Sequence, residues 1–150
     1  MKLNNKVFLF FIIILLSFYG NAFSKSNLDL VNAAEAGDAK KIREILKDGE
    51  DINEQDSKGD NALIKASEYG HLQIIELLLQ YRCHLNLQNK AGRTAISKAA
   101  ENGHIDVVRL LIDAGAKVNI KDKKDKTALT YATKEKHNNI VSLLKTAGAK

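Results

Sequence analysis

A block of 33 residues recurs along this chain. Ala99-Ala100-Glu101-Asn102-Gly103-His104 follows Ala66-Ser67-Glu68-Tyr69-Gly70-His71 at that interval. The same step links Gly37 to Gly70, His104 to His137, and Asn53 to Asn86 and Asn119. It also links Leu30, Leu63, Ile96 and Leu129, and Ile45, Leu78, Leu111 and Leu144. A fixed period of this length means stacked supersecondary units that share a continuous core, not a globule with one centre. Such a scaffold presents surfaces. Its pattern says how the chain is built, and leaves open which molecule it binds.

The N-terminal 24 residues break the pattern. Lys2 and Lys6 flank a polar start, and Val7 to Tyr19 follow with Ser17 as the one strongly polar side chain. Gly20, Asn21, Ala22, Phe23 and Ser24 come next. A basic start, a short apolar run and small residues at its end read as a secretory signal peptide, cleaved after Ala22 or Ser24. The alternative is an uncleaved anchor over residues 7–24, which carry no charge, against the roughly 20 apolar residues a spanning helix needs. On either reading the repeats leave the cytoplasm, for a periplasm or the cell exterior.

Removing Lys2 and Lys6 takes the net charge from +5 to +3. That mild excess keeps a chain soluble and demands no nucleic-acid partner. A single Cys, Cys83, gives no internal disulfide framework, so packing must supply the stability.

Residues 89–121 show one unit in full. Asn89-Lys90-Ala91-Gly92 reads as a turn. Thr94 is placed to cap a helix to about Asn102, in which Ala95, Ala99 and Ala100 keep the helix thin and Ile96 is the buried knob. Gly103 ends it, since glycine takes the left-handed conformation cheaply. A second helix follows, from about His104 to Ala114, with Ile105, Val107, Val108, Leu110, Leu111 and Ile112 as its apolar face. The other helices are expected near 28–36, 38–47, 61–69 and 71–81, with a fourth unit from Asp122. The domain is residues 25–150, in repeats of about 25–55, 56–88, 89–121 and 122–150.

The pattern resembles the ankyrin repeat, D-x-x-G-x-T-P-L-H-x-A-A-x-x-G-H-x-x-I/V-V-x-L-L-L-x-x-G-A-x-x-N. The third unit carries it at Gly92, Thr94, Ala99, Ala100, Gly103, His104, Val107, Val108, Leu110, Leu111, Gly115, Ala116 and Asn119. The likeness spans about residues 27–150. It implies an all-α solenoid of stacked antiparallel helix pairs with short β-turn fingers. It also implies a non-enzymatic, monomeric protein–protein interaction module without cofactor. The chain departs from the family at its Pro (Ala62, Ala95, Ala128), its His (Ile64, Ser97, Thr130), its closing Gly (Arg82) and its finger Gly (Asp125). These losses are expected to remove pre-organisation and hydrogen bonds between repeats.

No constellation for chemistry stands apart from the repeat. His71, His104 and His137 share one repeat position, about 10 Å apart in such a stack, too far to share a zinc whose ligands lie about 2 Å away. Cys83 fills the slot of Ala116 and Ala149 and is read as a small buried side chain. No phosphate-cradling glycine motif occurs. Lys121, Lys123, Lys124 and Lys126 form a basic run diluted by Asp122 and Asp125. It reads as a solvated tip, or as a dock for an acidic partner or an anionic membrane face.

The resemblance implies binding through the finger tips and the concave side of the first helices. Carried over by position, the partner-binding residues are Lys58, Asp60, Glu68, Tyr69, Lys90, Arg93, Glu101, Asn102, Lys124 and Lys126. Tyr69 and Arg93 are expected at the centre, because aromatics and Arg carry much interface energy. The exported module then binds an unidentified protein. Its alternatives are a secreted effector acting on a host protein, or a periplasmic inhibitor or stress protein covering an enzyme. Where the family has Pro, Ala95→Pro should stabilise the fold by about 0.4–1 kcal/mol by restricting the unfolded chain. A raised melting temperature checks this.

Overall fold

A computed structural model of the chain describes residues 29–150. The proposed leader or anchor, residues 1–24, lies outside them. Eight helices and no strand occur among the described residues. They are α1 (29–36), α2 (Ala39–Lys47), α3 (Ala62–Tyr69), α4 (Leu72–Gln80), α5 (Ala95–Asn102), α6 (Ile105–Asp113), α7 (Ala128–Lys134) and α8 (Asn138–Thr146). Consecutive helices pair across a tight turn. The odd-numbered helices α3, α5 and α7 stack in one row, and α2, α4, α6 and α8 stack in the other. This is an all-α repeat solenoid, and the helix limits follow the expected ones within about a residue.

Local chemistry starts and ends each pair. Asn61, Thr94 and Thr127 sit in extended backbone and accept the N–H of Ile64, Ser97 and Thr130. Each thereby satisfies a donor that the first helical turn leaves free. At the family His position, Ser97 and Thr130 serve bonds within their own repeat. Ser97 Oγ and Thr130 Oγ1 accept the Thr94 and Thr127 N–H groups at 3.0 and 3.2 Å and close capping boxes. Ile64 has no such group. The backbone before Ala95 suits proline, because Thr94 is extended with ψ 167°.

The core runs the length of the stack. Leu30, Leu63 and Ile96 are buried, as are Ile45, Leu78, Leu111 and Leu144. Leu129 is only half-buried, because no further helix among the described residues covers α7. On α6 the face narrows to Val107, Val108 and Leu111, with Ile105, Leu110 and Ile112 packed at its edge.

Polar side chains tie one repeat to the next. The ring Nε2 of His71, His104 and His137 meets the carbonyl of Glu35, Glu68 and Glu101 at 2.9, 3.0 and 3.0 Å. A carbonyl only accepts, so each ring carries its proton on Nε2. Asn53, Asn86 and Asn119 accept the N–H of His84, Lys117 and Lys150. The recurring His and Asn are thus rivets between neighbours.

Leu111→Ala removes a fully buried side chain at the centre of this stack. It should cost about 2–5 kcal/mol, measured as the loss in urea unfolding free energy.

Candidate partner-binding face

The fingers are built by one repeated device. Asp56 Oδ1 accepts the N–H of Lys58 and Asp60, Asn89 Oδ1 those of Ala91 and Arg93, and Asp122 Oδ1 those of Lys124 and Lys126, all at 2.8–3.0 Å. A short side-chain amide or carboxylate curls the backbone into a turn in this way. Neighbouring fingers are stitched together. Lys90 N donates to Lys58 O at 3.0 Å, and Lys123 N to Ala91 O at 3.1 Å. Gln55 Nε2 bridges Gly59 O and Gln88 O, and Gln88 Nε2 bridges Gly92 O and Lys121 O. The tips are therefore held in fixed register.

Five of the expected contact residues lie open on this surface: Lys58, Tyr69, Lys90, Asn102 and Lys124. Tyr69 is 48% exposed. Its hydroxyl donates to Glu35 at 2.9 Å and its ring stacks on His71. Lys126, Glu68 and Glu101 are half-buried.

Asp60 and Arg93 are corrections. Asp60 is 4% exposed and Arg93 9%. Asp60 turns inward because Asn89 Nδ2 donates to it at 2.8 Å and the Lys65 ammonium stands 3.7 Å away. Arg93 lies flat over the Tyr131 ring, 3.6 Å from its centroid, and donates to Glu101 at 2.7 Å and to Ser97 O at 3.3 Å. A guanidinium stacked on an aromatic face and paired with a carboxylate is already occupied. Arg93 thus bridges two repeats, and Tyr69 stands without it on the surface.

A family model described as "Ankyrin repeats (3 copies)" matches residues 30–122 and, overlapping them, residues 82–150. The chain belongs to the ankyrin-repeat family. No curated protein matches it. The helix pairs, riveting His residues and stitched fingers of this ankyrin-repeat chain give that match its physical content.

Across the first-helix row runs a ladder of charges that position-by-position transfer missed. Lys65 is buried among Glu35, Asp60 and Glu68, at 3.5, 3.7 and 3.7 Å. Glu68 also receives Lys98 at 2.7 Å. Beyond it come Arg93 and Glu101, then Tyr131, whose hydroxyl donates to Asp122. The hint in the sequence is that Lys65, Lys98 and Tyr131 share one repeat position beside the periodic Glu residues. Burial alone would push the Glu68 carboxyl up, but Lys98 and Lys65 outweigh it and hold it below its ordinary value. Burial opposes Asp122 too, and the Tyr131 hydroxyl, the Lys126 and Lys124 N–H groups and the Arg93 charge bring it down. For Lys65, burial lowers the ammonium's pKa, yet its three carboxylates raise it overall.

Cys83 is buried, and burial pushes its thiol up to about 11. It stays protonated near neutral pH and is a poor nucleophile. Among the described residues no group of three or more His, Cys, Asp or Glu is placed to hold a metal ion, and no helix is long and apolar enough to cross a membrane.

The ladder makes stability depend on pH in a defined sense. Glu68 and Asp122 are lowered in the folded state, so their contribution is complete above about pH 4.3, the ordinary carboxylate value. It is lost as pH falls through the lower folded values. Lys65 is raised, so its contribution is complete below about pH 10.4 and lost as pH rises beyond it. The urea midpoint should therefore fall on acidification below about pH 4.3. Glu68→Gln should flatten that fall, and a midpoint titration of both proteins checks it.

Proposed function

We propose that this chain is a non-enzymatic protein-binding module, exported from the cytoplasm, that takes hold of an acidic protein surface with its finger tips. One observation carries this reading: the sorting of charge in the fingers. Lys58, Lys90, Lys123 and Lys124 are exposed and form no ion pair with any described residue. Of the finger acids, Asp60 and Asp122 are turned inward and engaged by Lys65, Asn89, Tyr131 and backbone N–H groups, while Asp125 stays exposed beside Lys121. Solvent thus meets a row of ammonium groups held in fixed register by the finger stitching. Such a row steers an acidic partner and favours its docking.

Tyr69, at the opposite end of α3 from the finger, supplies an apolar anchor on the first-helix face, since a half-exposed aromatic side chain can be covered at little entropic cost. The fingers are preformed, so little ordering opposes association. Export rests on the basic start, apolar run and small residues of 1–24, which support a cleaved leader. Comparing precursor and mature masses by blot tests that part. A full-length protein fractionating with membrane would favour the anchor instead.

The binding reading is tested by affinity capture from the native envelope fraction. The bait is compared with a variant carrying Lys58→Gln, Lys90→Gln, Lys124→Gln and Tyr69→Ala. All four side chains are exposed, so the variant should fold normally. Enrichment of the captured protein should drop about tenfold or more, and it should weaken in raised salt. Undiminished capture by the folded variant would overturn the assignment.

A further inference from the structure

At two places in each inner repeat the chain meets its neighbour so closely that only glycine fits. In the fingers, a Cβ on Gly59 would stand 2.7 Å from Lys90 N, and one on Gly92 2.8 Å from Lys123 N. Those atoms are backbone, tethered to Lys58 O and Ala91 O, and cannot swing aside. At the helix turns, a Cβ on Gly70 would lie 2.7 Å from the His104 ring, and one on Gly103 2.8 Å from the His137 ring. Each ring could retreat only by giving up its hydrogen bond to the Glu68 or Glu101 carbonyl. Folded proteins essentially never show Cβ contacts under 3.0 Å.

The last repeat has a side chain at both places. Asp125 stands where Gly92 is one repeat earlier, and Lys136 where Gly103 is. Both keep the left-handed backbone, at φ 58° and 60°, so their Cβ atoms point where a glycine's would. We propose that Asp125 and Lys136 are steric stops. They close the outer face of the fourth helix pair to any further repeat of this kind, whether continued in the same chain or offered by a second copy.

Two other observations agree. Arg82 shares the left-handed backbone at φ 58°, but its glycine counterparts Gly49, Gly115 and Gly148 have nothing within 4 Å. A side chain is harmless there, so the replacements in the last repeat differ in kind: they fall on both seats. The outer face is also wettable. Thr133 stands where Ala100 is one repeat earlier. The closed end leaves the fingers and first-helix face as the surface for partners, and denies head-to-tail stacking at this end.

The test lengthens the full chain with a copy of residues 118–150 placed after Lys150. Lys150 is the repeat equivalent of Lys117, so the copy continues the register, and it brings its own closed face. The same extension is added to an Asp125→Gly/Lys136→Gly chain, with both unextended proteins as controls. Urea unfolding and limited proteolysis are read on all four. On the native background the extension should be cut quickly and leave the urea dependence (m-value) of its parent unchanged. On the double-glycine background the extension should be protected, and the m-value should rise by about a quarter, because it scales with the area exposed on unfolding. Equal protection on the native background would overturn the proposal. So would failure to dock on the double-glycine background, which would place the closure elsewhere.

Discussion

At two of the places where neighbouring repeats meet, finger backbone lies on finger backbone and a histidine ring lies on a helix turn. Glycine makes both approaches possible, since a Cβ would come within 2.7–2.8 Å of the neighbour at Gly59, Gly70, Gly92 and Gly103. Everything else in the stack follows from that distance. The His rings reach the Glu carbonyls, the finger N–H groups reach the preceding finger, and Leu63, Ile96, Leu78 and Leu111 close into one core. A helix pair alone could not bury its apolar face, so the seating and the core depend on each other.

Close seating also decides where charge can go. Once the first helices are side by side, Lys65 meets Glu35 and Lys98 meets Glu68 across repeats, joining the pairs Lys65–Glu68 and Arg93–Glu101 formed within repeats. Their mutual attraction, together with hydrogen bonds, offsets the cost of taking them partly out of water. Asp125 stays exposed, while Asp60 and Asp122 of the fingers are drawn into the same network. The lysines of the tips are not, because each sits on the far side of a turn whose carboxylate or amide is occupied by the backbone. The basic tips and the half-exposed Tyr69 are among the groups left open after internal pairing.

Much of this was legible in the residues themselves. The period located the helices to within about a residue, because glycine turns and Thr or Asn caps act over three or four positions of chain. It located the knobs of the core for the same reason. Asp60 and Arg93 were misjudged as surface residues. Beside nearer partners, each has one far along the chain, Asn89 for Asp60 and Tyr131 for Arg93, and a positional pattern carries no information on which way a long side chain turns. The sequence places Lys136 one repeat after Gly103. Its steric meaning needed the measured approach of His137 to Gly103.

By itself the sequence determined the repeat, the helix pairs, their caps and the apolar stripes, since these depend on local backbone preference and on periodicity. The tertiary structure decided which charges are spent inside, which remain on the finger tips, and why the stack closes where it does. Those outcomes depend on distances between residues far apart in the chain, and only stacking sets them.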